Sequence, residues 1–231
     1  MDPQQRTNDP ATTGSRRRSR LQDASLYLCT TARREQGDLE DFLHAAFDGG
    51  VDIVQIRDRS VSTSEEIAAL QVLSGVAAEH DGLVAVNDRA DVAVLVGADV
   101  LHVGQDDLSV AQARRIVGPD VLVGLSTHSA EQARAAMRDD ALDYFCTGPV
   151  WETPTKPGRT ATGLELVTRT AEMLDAAGST KPWFTIGGVN EATLPAVVAA
   201  GGRRAVVVRG VTTADDPRAA AAGLKGILRG P

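Results

Sequence analysis

From about residue 25 onward, short apolar runs alternate with longer stretches in which apolar residues recur every three or four positions. The runs are SLYLC (25–29), VDIVQI (51–56), LVAVN (83–87), ADVLHV (98–103), DVLVGL (120–125), LDYFC (142–146), PWFTI (182–186) and RAVVV (204–208). They are rich in Val, Ile and Leu with little polar alternation, as expected of strands buried on both faces in a parallel sheet. Between them, stretches such as SEEIAALQVLSGVAAEH and SVAQARRIVG keep a helical period. Several begin at Ser, Thr, Asp or Asn and stop at Gly, as capped helices do. Eight such units in roughly 205 residues average ~26 residues each, close to the smallest closed eightfold barrel. A doubly wound open sheet is the competing α/β arrangement, but it usually uses fewer strands. The expected fold is a (β/α)8 TIM barrel filling residues 21–231 as a single domain.

Charge divides the chain near the same place. The first twenty residues carry Arg6, Arg16, Arg17, Arg18 and Arg20 against Asp2 and Asp9, a net of +3, and setting them aside from a chain total of −7 leaves a body of −10. The segment MDPQQRTNDPATTGSRRRSR has no apolar period and no signal-peptide core, so residues 1–20 read as a disordered, Arg-rich tail. An acidic body repels polyanions, and nucleic acid is not an expected partner. No apolar run approaches the roughly 18 residues of a membrane helix, which also removes the membrane. Two cysteines, Cys29 and Cys146, form no CxxC pair, and they fit a reducing cytoplasm better than a zinc or disulfide framework. A homo-oligomer is compatible with all of this.

In a barrel of this kind, the loops leaving the C-terminal ends of the strands carry the chemistry. After the second run, alternation puts Gln55, Arg57 and Arg59 on one side if the strand runs that far, a cationic ladder suited to a diphosphate, or a solvated loop in which arginine pairs with Asp58. The third run ends in Asn87-Asp88, and Gly104-Gln105-Asp106-Asp107 follows the fourth. Two carboxylates from adjacent strand ends suit Mg²⁺ that also binds phosphate, although each could equally cap the helix that follows. Ser126 and His128 leave the fifth strand; His102 lies inside the fourth as a core residue, and no nucleophilic triad is visible. The longest irregular segment, residues 148–163, holds Pro149, Pro154 and Pro157 and gathers Thr153, Thr155 and Lys156, as a binding loop or lid would. Gly187-Gly188 after the seventh strand and Val208-Arg209-Gly210 after the eighth allow close backbone approach to a phosphate.

The segments VQIRDR, VNDRADVA, HVGQDDL, GLSTHS, GPVWETPTK and IGGVN, each after a successive strand from the second to the seventh, resemble thiamine phosphate synthase over about residues 25–228. The resemblance implies a transferase that joins 4-amino-2-methyl-5-(diphosphomethyl)pyrimidine to 4-methyl-5-(2-phosphoethyl)thiazole and releases diphosphate. It implies that Gln55, Arg57, Arg59, Asn87, Ser126 and Lys156 hold the pyrimidine diphosphate, with Arg57, Ser126 and Lys156 catalytic. Asp88 and Asp107 would bind the Mg²⁺ cofactor. Thr153, Thr155, Gly188, Val208 and Arg209 would hold the thiazole phosphate, while Gln105 shapes its turn. The chain departs from the family pattern at Arg59, where Q-x-R-x-K has lysine, and at Arg209-Gly210-Val211, where Ser-Ala-Ile is common. A thiazole tautomerase on the same barrel, with His128 as proton carrier, and a non-catalytic thiamine phosphate sensor are the rival readings.

Overall fold

The computed structural model describes residues 10–152 and 160–230. The elements run α1 (Pro10–Asp23), β1 (Leu26–Thr30), α2 (Leu39–Asp48), β2 (Ile53–Ile56), α3 (Thr63–Glu79), β3 (Leu83–Asn87), α4 (Ala90–Leu95), β4 (Val100–Val103) and α5 (Val110–Val117). The second half continues with β5 (Leu122–Thr127), α6 (Ala130–Arg138), β6 (Tyr144–Thr147), α7 (Gly163–Ala177), β7 (Trp183–Ile186), α8 (Leu194–Ala199), β8 (Ala205–Val207), α9 (Arg209–Thr212) and α10 (Pro217–Arg229). Every strand pairs in parallel with the next, and β8 returns to β1, closing the barrel. The eight apolar runs each overlap their strand, with ends displaced by no more than two residues.

Alternation along the strands sorts the core into two compartments. Leu26, Leu28, Val54, Ile56, Val84 and Val86 face outward and pack against the helices. Tyr27, Ile53, Leu83, Val100, Tyr144 and Phe184 face inward and fill the barrel. Inside, the Phe184 ring lies edge-on to Tyr27 at 5.7 Å and to Tyr144 at 5.6 Å. This plug leaves no pore, so the functional surface is the ring of loops above it.

Residues 10–20 correct the expectation of a disordered tail. They belong to α1, which docks under the floor of the barrel, while residues 1–9 lie outside the described residues. Leu21 is buried with the inward-facing side chains. The arginines find carboxylates that only the closed barrel brings together: Arg17 Nε donates to Asp99 Oδ1 at 2.7 Å and Arg18 Nε to Asp143 Oδ1 at 3.1 Å. Those aspartates precede β4 and β6, and their other oxygens accept Val84 N–H and Val123 N–H from the preceding strands. Asp52, preceding β2, does the same for Ser25 and Leu26, and Lys225 from α10 pairs with it. Before β8 the sign reverses, and Arg204 donates to the Ala24 and Gln22 carbonyls at the end of α1. Replacing the mostly buried Arg17 with alanine should therefore lower stability by about 1–2 kcal/mol, allowing for partial solvation of the pair. A shift of the urea midpoint at constant slope would register the loss, and an unmoved midpoint would contradict the docking.

Candidate active site

One side of the barrel mouth is built from the ends of β2, β3 and β4. Strand β2 stops at Ile56, which corrects the extended ladder: Gln55 is buried inside the barrel, Arg57 is half-buried, and Arg59 lies exposed in the following turn. Asp58 makes that turn, accepting from Ser60 N–H and Oγ and from Ala32 N–H, rather than pairing with either neighbouring arginine. Burial pushes its carboxyl pKa up, but those donors and Arg34 outweigh it and hold the value below the ordinary one. Arg57, Arg59, Asn87 and Asp88 line a recess of about 250 Å³. Among the described residues no carboxylate comes within ion-pair distance of Arg57 or Arg59, and Arg57 Nε and Gln55 Nε2 are buried without a hydrogen-bond partner. Such orphaned donors are costly unless a ligand meets them.

The two candidate metal-binding aspartates are not helix caps. Arg89 occupies the N-cap of α4, and Ser109 caps α5 through a reciprocal bond with Gln112. Asp88 instead has φ of 60°, a left-handed conformation that Asp and Asn tolerate better than most residues. Its N–H bonds the His102 carbonyl of β4, and its Oδ2 accepts from Asn87 Nδ2 at 2.7 Å. Asp107 closes the turn after β4 by accepting Gly104 N–H at 2.8 Å. Gln105 donates to the Ser126 carbonyl at 2.7 Å and so ties that turn to β5.

The other side of the mouth is a cavity of about 470 Å³ whose lining includes Ser126, His128, Trp151, Gly188, Val208 and Arg209. Gly188 has φ of 71°, and a Cβ there would sit 2.8 Å from Trp151 Cβ, so glycine lets the β7 loop pack against the start of the β6 loop. That loop start continues the sheet, since Val150 N–H bonds Ile186 O and Trp151 N–H bonds Gly187 O. Its far end returns to the same base, where Thr162 N–H donates to Pro149 O and Gly163 N–H to Val150 O. Thr153, Thr155 and Lys156 lie outside the described residues, between these two pinned ends. His128, which had no partner visible in sequence, places Nδ1 against the Gly148 carbonyl. Ser126 is buried on the same wall, and its Oγ lies 2.9 Å from His102 Nε2.

The profile of the thiamine monophosphate synthase family matches residues 26–211, which holds all eight strands entire and nearly all of the mouth. The chain belongs to this family. A thiamine-phosphate synthase of Saccharopolyspora erythraea is 58% identical over 213 residues, covering 90% of this chain and 94% of that protein. One from Streptomyces avermitilis is 57% identical over 204 residues, covering 88% and 93%. Among solved structures, the thiamine phosphate pyrophosphorylase of Pyrococcus furiosus superposes with a TM-score of 0.78 at 29% identity, covering 92% of this chain and 97% of that one. A 3-hexulose-6-phosphate synthase, at a TM-score of 0.62 and 23% identity, shares the fold. The protein is accordingly an enzyme, a transferase of the thiamine-phosphate synthase type.

The Mg²⁺ that the sequence resemblance implies can be tested against the donors present. Among the described residues no three His, Cys, Asp or Glu side chains gather into a metal cage. The carboxylates of Asp88, which lines the recess with Arg57, and of Asp107 stand at adjacent strand ends, and oxygen donors of this kind suit a Mg²⁺ that also takes phosphate and water. Sequence reasoning missed Trp151, Asn190 and Thr193 in the cavity wall and the contact between His102 and Ser126. Trp151 packs against the Gly187-Gly188 turn, remote in sequence, whereas Asn190 and Thr193 bond each other and Gly188 within one short turn. The contact between His102 and Ser126 depends on the register of β4 on β5.

Proposed function

We propose that this protein condenses 4-amino-2-methyl-5-(diphosphomethyl)pyrimidine with 4-methyl-5-(2-phosphoethyl)thiazole to give thiamine phosphate and diphosphate. The observation that carries the reading is the divided mouth. A recess after β2 and β3 sets Arg57 and Arg59, which have no ion pair among the described residues, beside the carboxylate of Asp88, and a glycine-lined cavity follows β5 to β8. Two phosphorylated ligands with different needs suit these two halves, and Ser126 lines the second.

Gln55, Arg57, Arg59, Asn87, Ser126 and Lys156 hold the pyrimidine diphosphate in this reading. The bond from the pyrimidine methylene carbon to the diphosphate oxygen breaks with its electron pair leaving on oxygen, and Arg57, Arg59 and Lys156 neutralise the charge as it develops. Asp88 and Asp107 hold Mg²⁺, which when bound supplies Lewis-acid stabilisation of that same charge. The aminopyrimidine ring delocalises the cation left behind. Thr153, Thr155, Gly188, Val208 and Arg209 hold the thiazole phosphate so that the ring nitrogen lone pair forms the new C–N bond within the same cavity. No protein nucleophile and no net proton transfer are required.

Among the described residues no helix is long and apolar enough to cross a membrane. Cys29 and Cys146 are buried and form no disulfide among the described residues, which suits a cytosolic location. Supplied with both substrates and Mg²⁺, the protein should form thiamine phosphate, and chelation should abolish the product. Formation that persists under chelator would remove the metal from the account, and no formation with Mg²⁺ present would remove the account itself.

A further inference from the structure

A polar chain runs through the barrel interior and surfaces at Ser126. Register places His102 of β4 opposite Gly124 of β5, and Gly124 opposite Tyr144 of β6. The middle position has no side chain, so the Tyr144 ring lies across it; a Cβ at Gly124 would sit 2.1 Å from the ring carbon Cζ. Tyr144 thereby reaches past β5 and brings its hydroxyl 2.9 Å from His102 Nδ1. The other imidazole nitrogen, Nε2, is 2.9 Å from Ser126 Oγ. All three side chains are buried, and Ser126 also lines the large cavity.

The chain has a direction. Tyr144 donates its hydroxyl proton to the Tyr27 oxygen at 3.4 Å. Burial, with the neighbouring thiols, pushes both phenols well above their ordinary pKa, so Tyr144 keeps that single proton. Towards His102 the Tyr144 oxygen is then an acceptor, which requires the proton on Nδ1. An imidazole with its one proton on Nδ1 leaves Nε2 as an acceptor.

We propose that His102 is a positioning residue for Ser126, held as the Nδ1–H tautomer by Tyr144 so that its Nε2 accepts the serine hydroxyl proton. Ser126 then turns oxygen lone pairs into the cavity and selects a ligand group that donates a hydrogen bond. The inference rests on the proposed substrates for the identity of that group, which is the exocyclic amine of the pyrimidine rather than a phosphate oxygen. It deepens the role of Ser126, since an acceptor aimed at the amine orients the ring whose leaving group must face Arg57. Gly124 is part of the same device, because any side chain there displaces Tyr144.

Two measurements test it. In ligand-free protein, ¹⁵N–¹H correlation NMR reads the tautomer of the imidazole signal that survives separate replacement of His44, His80 and His128 by glutamine. The expected result is a proton on Nδ1, and a proton on Nε2 would overturn the proposal without touching the proposed reaction. In turnover, Tyr144→Phe should lower kcat/KM by about tenfold, the weight of one hydrogen bond. Combined with Ser126→Ala it should cause no further loss, whereas additive losses would mean that Tyr144 acts only through packing. Where Tyr144→Phe fails to fold, the tautomer in the unaltered protein decides. A wild-type protein that forms no thiamine phosphate refutes the reaction and leaves the tautomer to stand or fall on its own spectrum.

Discussion

Replacing Arg57 with alanine should cut kcat/KM by on the order of 100-fold or more, the cost of removing one preorganised donor from developing charge. Stability should move the other way or stay unchanged. Arg57 serves the fold through its backbone, whose N–H donates to the Thr30 carbonyl at 2.8 Å. Its side chain has no ion pair among the described residues, and its Nε is buried without a partner. Deleting an unsatisfied buried donor removes a desolvation cost, so the variant should unfold at an equal or higher urea concentration. Arg57→Lys should recover only part of the rate, because an ammonium keeps the charge and loses the fork. An Arg57→Ala enzyme with wild-type kcat/KM would place the diphosphate elsewhere.

The second large effect is expected at Asp88, and its conformation dictates the variant. With φ of 60°, alanine would add backbone strain to the loss of charge, whereas asparagine tolerates the left-handed region. Asp88→Asn should thus fold normally, raise the Mg²⁺ concentration needed for half-maximal rate by at least roughly tenfold, and regain part of its rate as Mg²⁺ is raised. Thiazole phosphate binding should not change, because the cavity lined by Gly188, Val208 and Arg209 does not include Asp88. Unaltered Mg²⁺ dependence in Asp88→Asn would remove this residue from the metal site.

Much of the fold was readable from the sequence, for a physical reason. Strands buried on both faces must be apolar throughout, so VDIVQI, LVAVN and RAVVV announce themselves without reference to their neighbours. The helix α1 gives no such signal. Of its fourteen residues PATTGSRRRSRLQD, only Leu21 is a large apolar side chain, and its arginines are explained by Asp99 and Asp143, which become neighbours only when β4 and β6 are in the barrel. The candidate site divides in the same way. The strand-end positions of Gln55, Arg57, Asn87, Asp88 and Asp107 were legible, while Arg59 was misplaced by three residues of strand, 57–59, that are not formed. The link from Tyr144 through His102 to Ser126 was not legible. Each residue had an adequate reading alone, and only the empty position at Gly124 makes them one chain.

The central claim is that one mouth breaks a diphosphate ester and forms a C–N bond in the same turnover. Phosphorus NMR of a single reaction follows both events, because free diphosphate, the diphosphate ester and the phosphate monoesters give separate signals. With both substrates and Mg²⁺, the account predicts one diphosphate released for each thiamine phosphate formed, with the rate lowered in Arg57→Ala. Thiazole phosphate that changes without any diphosphate released, or bound substrates that remain unchanged, would contradict it.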